Sequence, residues 1–376
     1  MVPHQAPTPD AVDFVVGRSD LRRTAFVPGL HTADTVLEPG RVLVRIDRFA
    51  FTANNVTYGA VGDLIGYWTF FPAKEGWGRI PVWGFGDVVR SSHAAVPAGE
   101  RLYGYFPMST YLVLHADHVS ATGLVDASAH RAALPPIYNQ YTRVAADAGY
   151  DPAREAEIAL FRPLFTTSFL LDDFLAEAAF FGARALVLSS ASSKTALGLA
   201  FLLSQTRRAQ CRVVGLTSPA NAAFVARTGY YDTVLAYDDV RSLPRDTATV
   251  FVDFAGNGAV VAAVHHHLGG SLRYSCQVGV THWEQRAPAA DLPGPAPILF
   301  FAPEQARKRL GDWGPADFQA RVGGAMRRFL DSTRGWLRVV EGRGRAAIES
   351  VYRAMLEGET DPSEGHMLSL SERAGE

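Results

Sequence analysis

Six hydrogen-bonding side chains crowd the stretch SSASSKTALGLA, residues 189–200: Ser189, Ser190, Ser192, Ser193, Lys194 and Thr195. Hydroxyls with an ammonium beside them are suited to holding an anion. The apolar run ALVL precedes them and an apolar segment of helical character follows, so the string reads as a strand turning into a helix. Such a turn gathers free backbone N–H groups at the positive end of a helix dipole, where phosphate binds. Three readings are open. Ser192 or Ser193 caps the helix; Ser192, Ser193, Lys194 and Thr195 hold the pyrophosphate of a dinucleotide; or Lys194 and Thr195 close a nucleoside-triphosphate loop, which lacks the two upstream glycines that such a loop needs. Dinucleotide loops also use glycines for the tight turn. Here Gly198 serves only the close packing of the helix.

Neighbouring strand ends bear on the choice. The run CRVVGLT ends at Thr217 and Ser218, where an NAD site carries an acidic residue for the ribose hydroxyls. Neither residue is acidic. That leaves room for a 2′-phosphate, with Lys194 supplying charge, and favours NADP(H) over NAD(H); a plain turn before a helix from Pro219 is the other reading. VFVDFAGNG ends in a turn at Ala255 and Gly256, and SLRYSCQVGVTHW runs into Gly279 and Thr281. All these ends fall on the carboxyl edge of a sheet, where open α/β folds bind ligands.

The elements that must position these ends are legible in outline. RVLVRIDRFAFT, IPVWGFGDVVR, ERLYGYFPM and YLVLHA are short strands separated by Gly and Pro, a β-rich, barrel-like region over residues 40–120. From about residue 158, strands alternate with helices (ALVLSS, CRVVGLT, TVLAY, TVFVDF, SLRYSC), the pattern of a parallel sheet covered on both faces. Helical segments QARKRLGDW and FQARVGGAMRRFLDSTRGWL follow, then a strand around Arg338–Val340, the helix AAIESVYRAMLEG and the run HMLSL. The expected boundaries are 1–157 for a substrate domain, 158–302 for a nucleotide-binding domain and 303–376 for a segment returning to the first.

Composition narrows the classes. The 376 residues carry 36 Lys and Arg against 38 Asp and Glu, a net charge of −2, so the basic excess of a nucleic-acid binder is absent. No stretch reaches the roughly 18 apolar residues of a membrane span, and MVPHQAPTPD is no secretory leader, so a cytoplasmic location is expected. A small-molecule substrate is the expected partner. With only Cys211 and Cys276, neither a disulfide framework nor a cysteine zinc site is available.

The order of barrel, dinucleotide fold and returning helix and strand resembles the medium-chain dehydrogenase/reductase superfamily, nearest its zinc-free quinone oxidoreductase and enoyl reductase branch. GRVLVRIDRFAFTANNVTYGAVGD is similar to that family's early strand and substrate loop, VWGFGDVV to its glycine-bearing strand, GERLYGY to its "G-D-R-V" turn, and AAIESVYRAMLEGETDPSEGHMLSL to its last helix and strand. TANNVTY, PVWGF, FFAP and VGVTHW also resemble a group of reductase-like proteins carrying a domain-of-unknown-function label. The resemblance implies an α/β chain, a GroES-like β-barrel plus a Rossmann-type doubly wound sheet, with NADP(H) as cofactor. It departs from the family where the glycine-rich phosphate turn becomes Ala191–Leu197.

What the resemblance implies for the site is specific. Asn54, Asn55 and Tyr58 lie in the loop similar to the one facing the nicotinamide, where a phenol or amide donor steadies charge on an acceptor oxygen without a metal. Their plain alternative is a well-bonded turn. Tyr237 corresponds to a tyrosine reaching the adenosine phosphate; Thr281 and His282 approach the nicotinamide; Phe300 and Phe301 fall in the strand that pairs subunits into a homodimer. Tyr67, Trp68, Phe70, Phe71, Trp77 and Trp83 wall a pocket or fill the barrel core. His265, His266 and His267 are consecutive on a helix, point about 100° apart and cannot share one metal. No G-x-S-x-G elbow supports hydrolysis. The expected activity is reduction of an activated C=C or C=O bond of quinone, enone or enoyl type. The alternative is a reductase-derived protein without redox chemistry, a binding or accessory protein or a non-redox biosynthetic enzyme.

Overall fold

A computed structural model describes residues 11–30, 32, 35–207, 209–278 and 292–371. The chain divides into two units: Met1–Ala159 with Val340–Thr360 and His366–Glu376, and Leu160–Val339 with Asp361–Gly365.

In the first unit β1 (Val12–Gly17) lies between β2 (Thr24–Pro28) and β4 (Trp77–Gly78) in a small antiparallel sheet. Strands β3 (Arg41–Phe51), β5 (Pro81–Ser91), β6 (Arg101–Pro107), β9 (Gln140–Arg143), β8 (Gly123–Asp126) and β7 (Tyr111–Asp117) pair in that order. Strand β7 then pairs back onto β3, Val42 opposite Leu114, which closes a barrel. Alternating β-branched and aromatic residues make these strands, with Val42, Val44, Phe85, Leu102, Tyr105 and Leu114 wholly buried. The helix α1 (Ala53–Ala60) and the short α2 (Gly62–Ile65) leave the end of β3. Near the C-terminus β16 (Arg338–Arg343), α8 (Gly344–Glu357) and β17 (Glu364–Ser369) return, β17 pairing with β3 through His366 opposite Phe51.

The second unit is a six-stranded parallel sheet. Its strands are β10 (Ala185–Leu188), β11 (Arg212–Thr217), β12 (Thr233–Ala236), β13 (Thr249–Asp253), β14 (Leu272–Gln277) and β15 (Ile298–Leu299), in the order β12-β11-β10-β13-β14-β15. The chain runs outward from β10 to β12, then crosses back to β13, so the strand order reverses between β10 and β13. That reversal opens a crevice at the carboxyl ends of the strands. Every residue of β10 and β13 is buried, as a sheet covered on both faces requires. The helices α3 (Glu155–Glu177), α4 (Lys194–Thr206), α5 (Pro219–Arg227), α6 (Gly258–Leu268) and α7 (Ala302–Thr333) complete the layers. On one face Val187, Leu216, Phe251, Val264 and Leu272 share a core.

The GroES-like barrel and Rossmann-type sheet are those the sequence indicates. Some elements are not visible there: the β1–β2 hairpin, whose strands show no alternation of buried and exposed residues, and β8 and β9, of four residues each. The two helical segments expected after Pro303 follow one another in α7 and are separated at Gly314, which leaves helical geometry at φ 77° and ψ 161° ahead of Pro315. Among the described residues no helix is long and apolar enough to cross a membrane.

Candidate functional site

In the second unit the turn after β10 has a left-handed residue although it holds no glycine: Ser190 sits at φ 47°. The Ser190 carbonyl accepts from the Ser193 amide at 2.7 Å, which tightens the turn, and the Ser190 amide donates to the Tyr237 hydroxyl at 3.2 Å. Ala191 is fully buried, its amide on the Leu216 carbonyl at 3.0 Å and its carbonyl accepting from Tyr231 at 2.8 Å. Ser193 is the helix cap, its hydroxyl accepting from the Ala196 amide at 3.3 Å. The cap leaves the amides of Ser192, Lys194 and Thr195 without a protein acceptor among the described residues. These are the free donors of a helix start, at its positive end.

Gly198 belongs to the packing of this helix. A Cβ there would lie 2.7 Å from Ser168 Oγ on α3, and Ser168 Oγ donates to the Thr195 carbonyl at 2.7 Å. The helix thus lies closer to α3 than a side chain would permit, which fixes where its first turn points.

The adjoining strand ends are braced as one edge. Ser189 Oγ donates to Asp253 Oδ1 at 2.5 Å and accepts from the Phe254 amide at 3.0 Å, and Asp253 also accepts from the Ala255 and Gly256 amides at 3.2 and 2.9 Å. A buried carboxylate with this many donors holds the turn in one shape. Thr217 is buried at the end of β11, and Ser218 begins α5. Asn221 reaches across to donate to Ser192 Oγ at 3.1 Å. Lys194 points elsewhere: its ammonium donates to the Glu364 carbonyl at 2.6 Å, and burial pulls it down to about 8, partly offset by Glu364 and Asp361. The structure therefore brings Ser192, Ser193, Thr195, Thr217, Ser218, Ala255 and Gly256 to one sheet edge, with Tyr237 engaged by the loop. Gly279, Thr281 and His282 lie outside the described residues.

This edge fits a dinucleotide's phosphates in its donors: unpaired amides, a half-buried serine and no acidic residue at the end of β11. The cation expected from Lys194 is directed at Glu364.

In the first unit Thr52 starts α1 in a reciprocal cap with Asn55. Asn55 Oδ1 accepts from the Thr52 amide at 2.8 Å and Nδ2 donates to the Pro81 carbonyl at 2.9 Å, so Asn55 holds backbone. Asn54 turns the other way, beside the Tyr58 hydroxyl. Tyr58 is buried in an aromatic cluster, 4.6 Å from Tyr67 and 5.7 Å from Tyr105 between ring centroids. Tyr105 in turn lies 5.0 Å from Trp83 and 4.9 Å from Tyr138. The Tyr67 and Tyr138 hydroxyls are 3.1 Å apart. Burial drives Tyr58, Tyr67, Tyr105 and Tyr138 far above the usual phenol range, and the hydroxyls raise one another further. All four remain neutral donors at any physiological pH. Tyr105 Oη is buried without a hydrogen-bond partner among the described residues, while Trp83 Nε1 stands beside the Tyr58 hydroxyl. A buried donor left unmade costs roughly 1–3 kcal/mol.

A buried ion pair sets this wall. Arg131 Nη1 meets Asp126 Oδ2 at 2.6 Å and Tyr141 at 3.1 Å, and Nη2 donates to the Tyr138 carbonyl at 2.9 Å. Tyr141 passes the constraint on, donating to the Tyr105 carbonyl at 2.5 Å. Gly104 makes this possible, since a Cβ there would stand 2.3 Å from the Tyr141 ring. Sequence reading missed Tyr105, Tyr138 and Arg131; the only signal was their aromatic and glycine-rich surroundings in ERLYGYFPM and PIYNQYTR.

Among the described residues no three His, Cys, Asp or Glu side chains are placed to hold a metal. His265 bonds Pro293 and Ser275, while His267 bonds Leu243. Cys211 and Cys276 are buried and unpaired.

A family model described as "Protein of unknown function (DUF2855)" matches residues 49–361. No curated protein matches the chain. Among solved structures it is similar to CurA of Vibrio vulnificus in complex with NADPH (14% identity, TM-score 0.61, 96% of this chain and 100% of that one). It is also similar to a putative NADPH:quinone reductase of Mesorhizobium loti (13%, 0.57, 96% and 99%). A third is the yhdH oxidoreductase of Salmonella enterica in complex with NADP (14%, 0.53, 95% and 99%). At these identities the likeness is one of fold alone.

Proposed function

The chain belongs to the DUF2855 family, and from that premise we propose that it is an NADP(H)-dependent, metal-free reductase of an activated C=C or C=O bond. The observation that carries the reading is the first turn of α4, where the Ser192, Lys194 and Thr195 amides have no partner among the described residues at the reversal point of the sheet. Pyrophosphate supplies the acceptors those amides lack. Ser192 and Ser193 add hydroxyls, and the non-acidic Thr217 and Ser218 admit a 2′-phosphate. Ala255 and Gly256 border the same edge. The titles of the CurA and yhdH structures name NADPH and NADP, which supports this cofactor.

NADPH, when bound, supplies the hydride. The chain's part is to hold the acceptor and meet the developing charge. Tyr58 donates a hydrogen bond to the acceptor oxygen, oriented by Asn54, and its raised pKa keeps the proton in place until an alkoxide or enolate draws on it. In this reading residues 1–157 supply the substrate side, 158–302 the nucleotide side, and 303–376 return to the first. The exposed edge strand of Ile298 and Leu299 supports a homodimer.

A second reading, a reductase-derived binding or accessory protein, draws on Lys194 and Tyr237, whose polar ends are engaged by Glu364 and Ser190. Titration with NADPH separates the two. Nicotinamide fluorescence should change on binding, and Ser218→Asp should weaken NADPH about tenfold or more while NADH is less affected, as an added carboxylate repels the 2′-phosphate. No binding at millimolar NADPH removes the reductase.

A further inference from the structure

The turn after β10 keeps a serine, Ser190, in the left-handed region, which a side chain disfavours and glycine does not. Groups outside the turn hold it there. Tyr237 accepts from the Ser190 amide at 3.2 Å, and Tyr231 donates to the Ala191 carbonyl at 2.8 Å. The two phenols thus grip the chain on either side of the Ser190–Ala191 peptide. Burial first, and the Tyr237 hydroxyl second, push the Tyr231 phenol well above its usual range, so it stays a donor.

Tyr231 is itself fixed. The next residue, Asp232, clasps the start of β11, its amide on the Val213 carbonyl at 2.9 Å and its carboxylate accepting from the Val213 amide at 2.8 Å. The Tyr231 ring then lies against Gly215 on β11, where a Cβ would stand 2.9 Å from both Ala191 Cβ and Tyr231 Cδ1. Glycine weakens a strand interior and often marks a close approach; here the approach is that of Ala191 and Tyr231. The glycine missing from the turn stands instead in the strand beside it.

We propose that Tyr231, seated on Gly215, sets the main-chain shape of this turn and so directs the Ser192, Lys194 and Thr195 amides. The proposal rests on the reductase reading for what those amides hold, a pyrophosphate. Tyr231 acts through the turn and is a positioning residue. Phenylalanine in its place keeps a ring on Gly215 but leaves the carbonyl of the wholly buried Ala191 without its donor, which drives the peptide to turn away.

The test has two arms, both on the intact chain. Without nucleotide, amide hydrogen exchange follows Ala191 and Ser193, whose amides bond Leu216 and Ser190. Tyr231→Phe should speed both about tenfold, the worth of one hydrogen bond, while the later turns of α4 keep the parent's rates. The second arm titrates NADPH and adenosine 2′-monophosphate, which lacks the pyrophosphate. Tyr231→Phe should weaken NADPH about fivefold or more and leave the monophosphate within about twofold. Gly215→Ala, which displaces the same ring, should repeat that pattern. Adding Ser190→Gly to Tyr231→Phe should recover a large part of the lost NADPH affinity, because glycine takes the left-handed region without strain. A tyrosine that merely stabilised the fold would gain nothing from that change. Unaltered exchange in Tyr231→Phe, equal losses for the two ligands, or no recovery in the double variant would overturn the proposal. A parent that binds no NADPH removes the reductase reading, and the exchange arm then decides the role of Tyr231 alone.

Discussion

The turn after β10 and the phenol cluster of the barrel are both polar sites in apolar surroundings, but they are built differently. The turn is local: Ser189–Thr195 are contiguous, and the donors that matter are backbone amides freed by a helix start. The cluster is assembled from residues 58, 67, 83, 105 and 138, which only the closing of the barrel brings together. A site of the first kind tolerates changes of side chain, since its donors belong to the main chain. A site of the second kind depends on every packing contact that places a ring. This contrast explains how a loop without the usual glycines keeps the features of a phosphate site.

The sharpest way to test the contrast is at Arg131. Its side chain is buried with Asp126, and the carboxylate also accepts from the His115 amide and from Ser128. Arg131→Ala leaves that carboxylate without its cation, which typically costs about 3–5 kcal/mol. Denaturant melts should show a loss of that order. The double change Asp126→Asn with Arg131→Met should recover much of the stability. NADPH affinity should follow stability only, because the amide site has no part in this pair. A single variant that lost NADPH binding while fully folded would break the distinction between the sites.

That contrast also sets what was legible in the sequence. Contiguous features were readable: most strands of both sheets, the strand-to-helix turn, the missing acid after Thr217, and Gly198 as a packing residue. Others required the fold. Asn54 and Asn55 look equivalent as neighbours, yet the cap geometry turns Asn55 onto Thr52 and Pro81 and leaves Asn54 beside Tyr58. Lys194 looks like a phosphate ligand because it follows the serines. It instead reaches the carbonyl of Glu364, 170 residues away, a contact no spacing rule encodes. Tyr105 and Tyr138 carry no motif, and their hydroxyls gain meaning only from burial beside one another.

Lys194 offers a smaller effect with a defined sign. Burial lowers its folded-state pKa from 10.5 to about 8. Between those values the unfolded chain binds more protons than the folded one, so this residue makes stability rise with pH. Below about pH 8 the ammonium is charged in both states and its desolvation penalty is constant. The stability of the wild type relative to Lys194→Met should therefore grow by about 2 kcal/mol as pH rises from 8 toward 10.5. Taking the difference between the two proteins cancels most of the tyrosine and cysteine titrations common to both. A flat or falling difference would mean that the lysine is solvated, and then free to serve the phosphate edge after all.

The smallest effect bears on the glycine question itself. Ser190 adopts φ 47° in a turn that the neighbouring hydrogen bonds from Ser193 and to Tyr237 define. A serine in that region carries a strain of order 1 kcal/mol, which glycine does not. Glycine also widens the unfolded ensemble, which works against it. Ser190→Gly should thus shift stability by less than about 1 kcal/mol, in the stabilising direction where relief of strain exceeds the entropy. Its NADPH affinity should stay within about twofold of the parent, since the Ser192, Lys194 and Thr195 amides are untouched. A large gain in affinity would show that the serine hinders the pyrophosphate, and that the amides alone do not make the site.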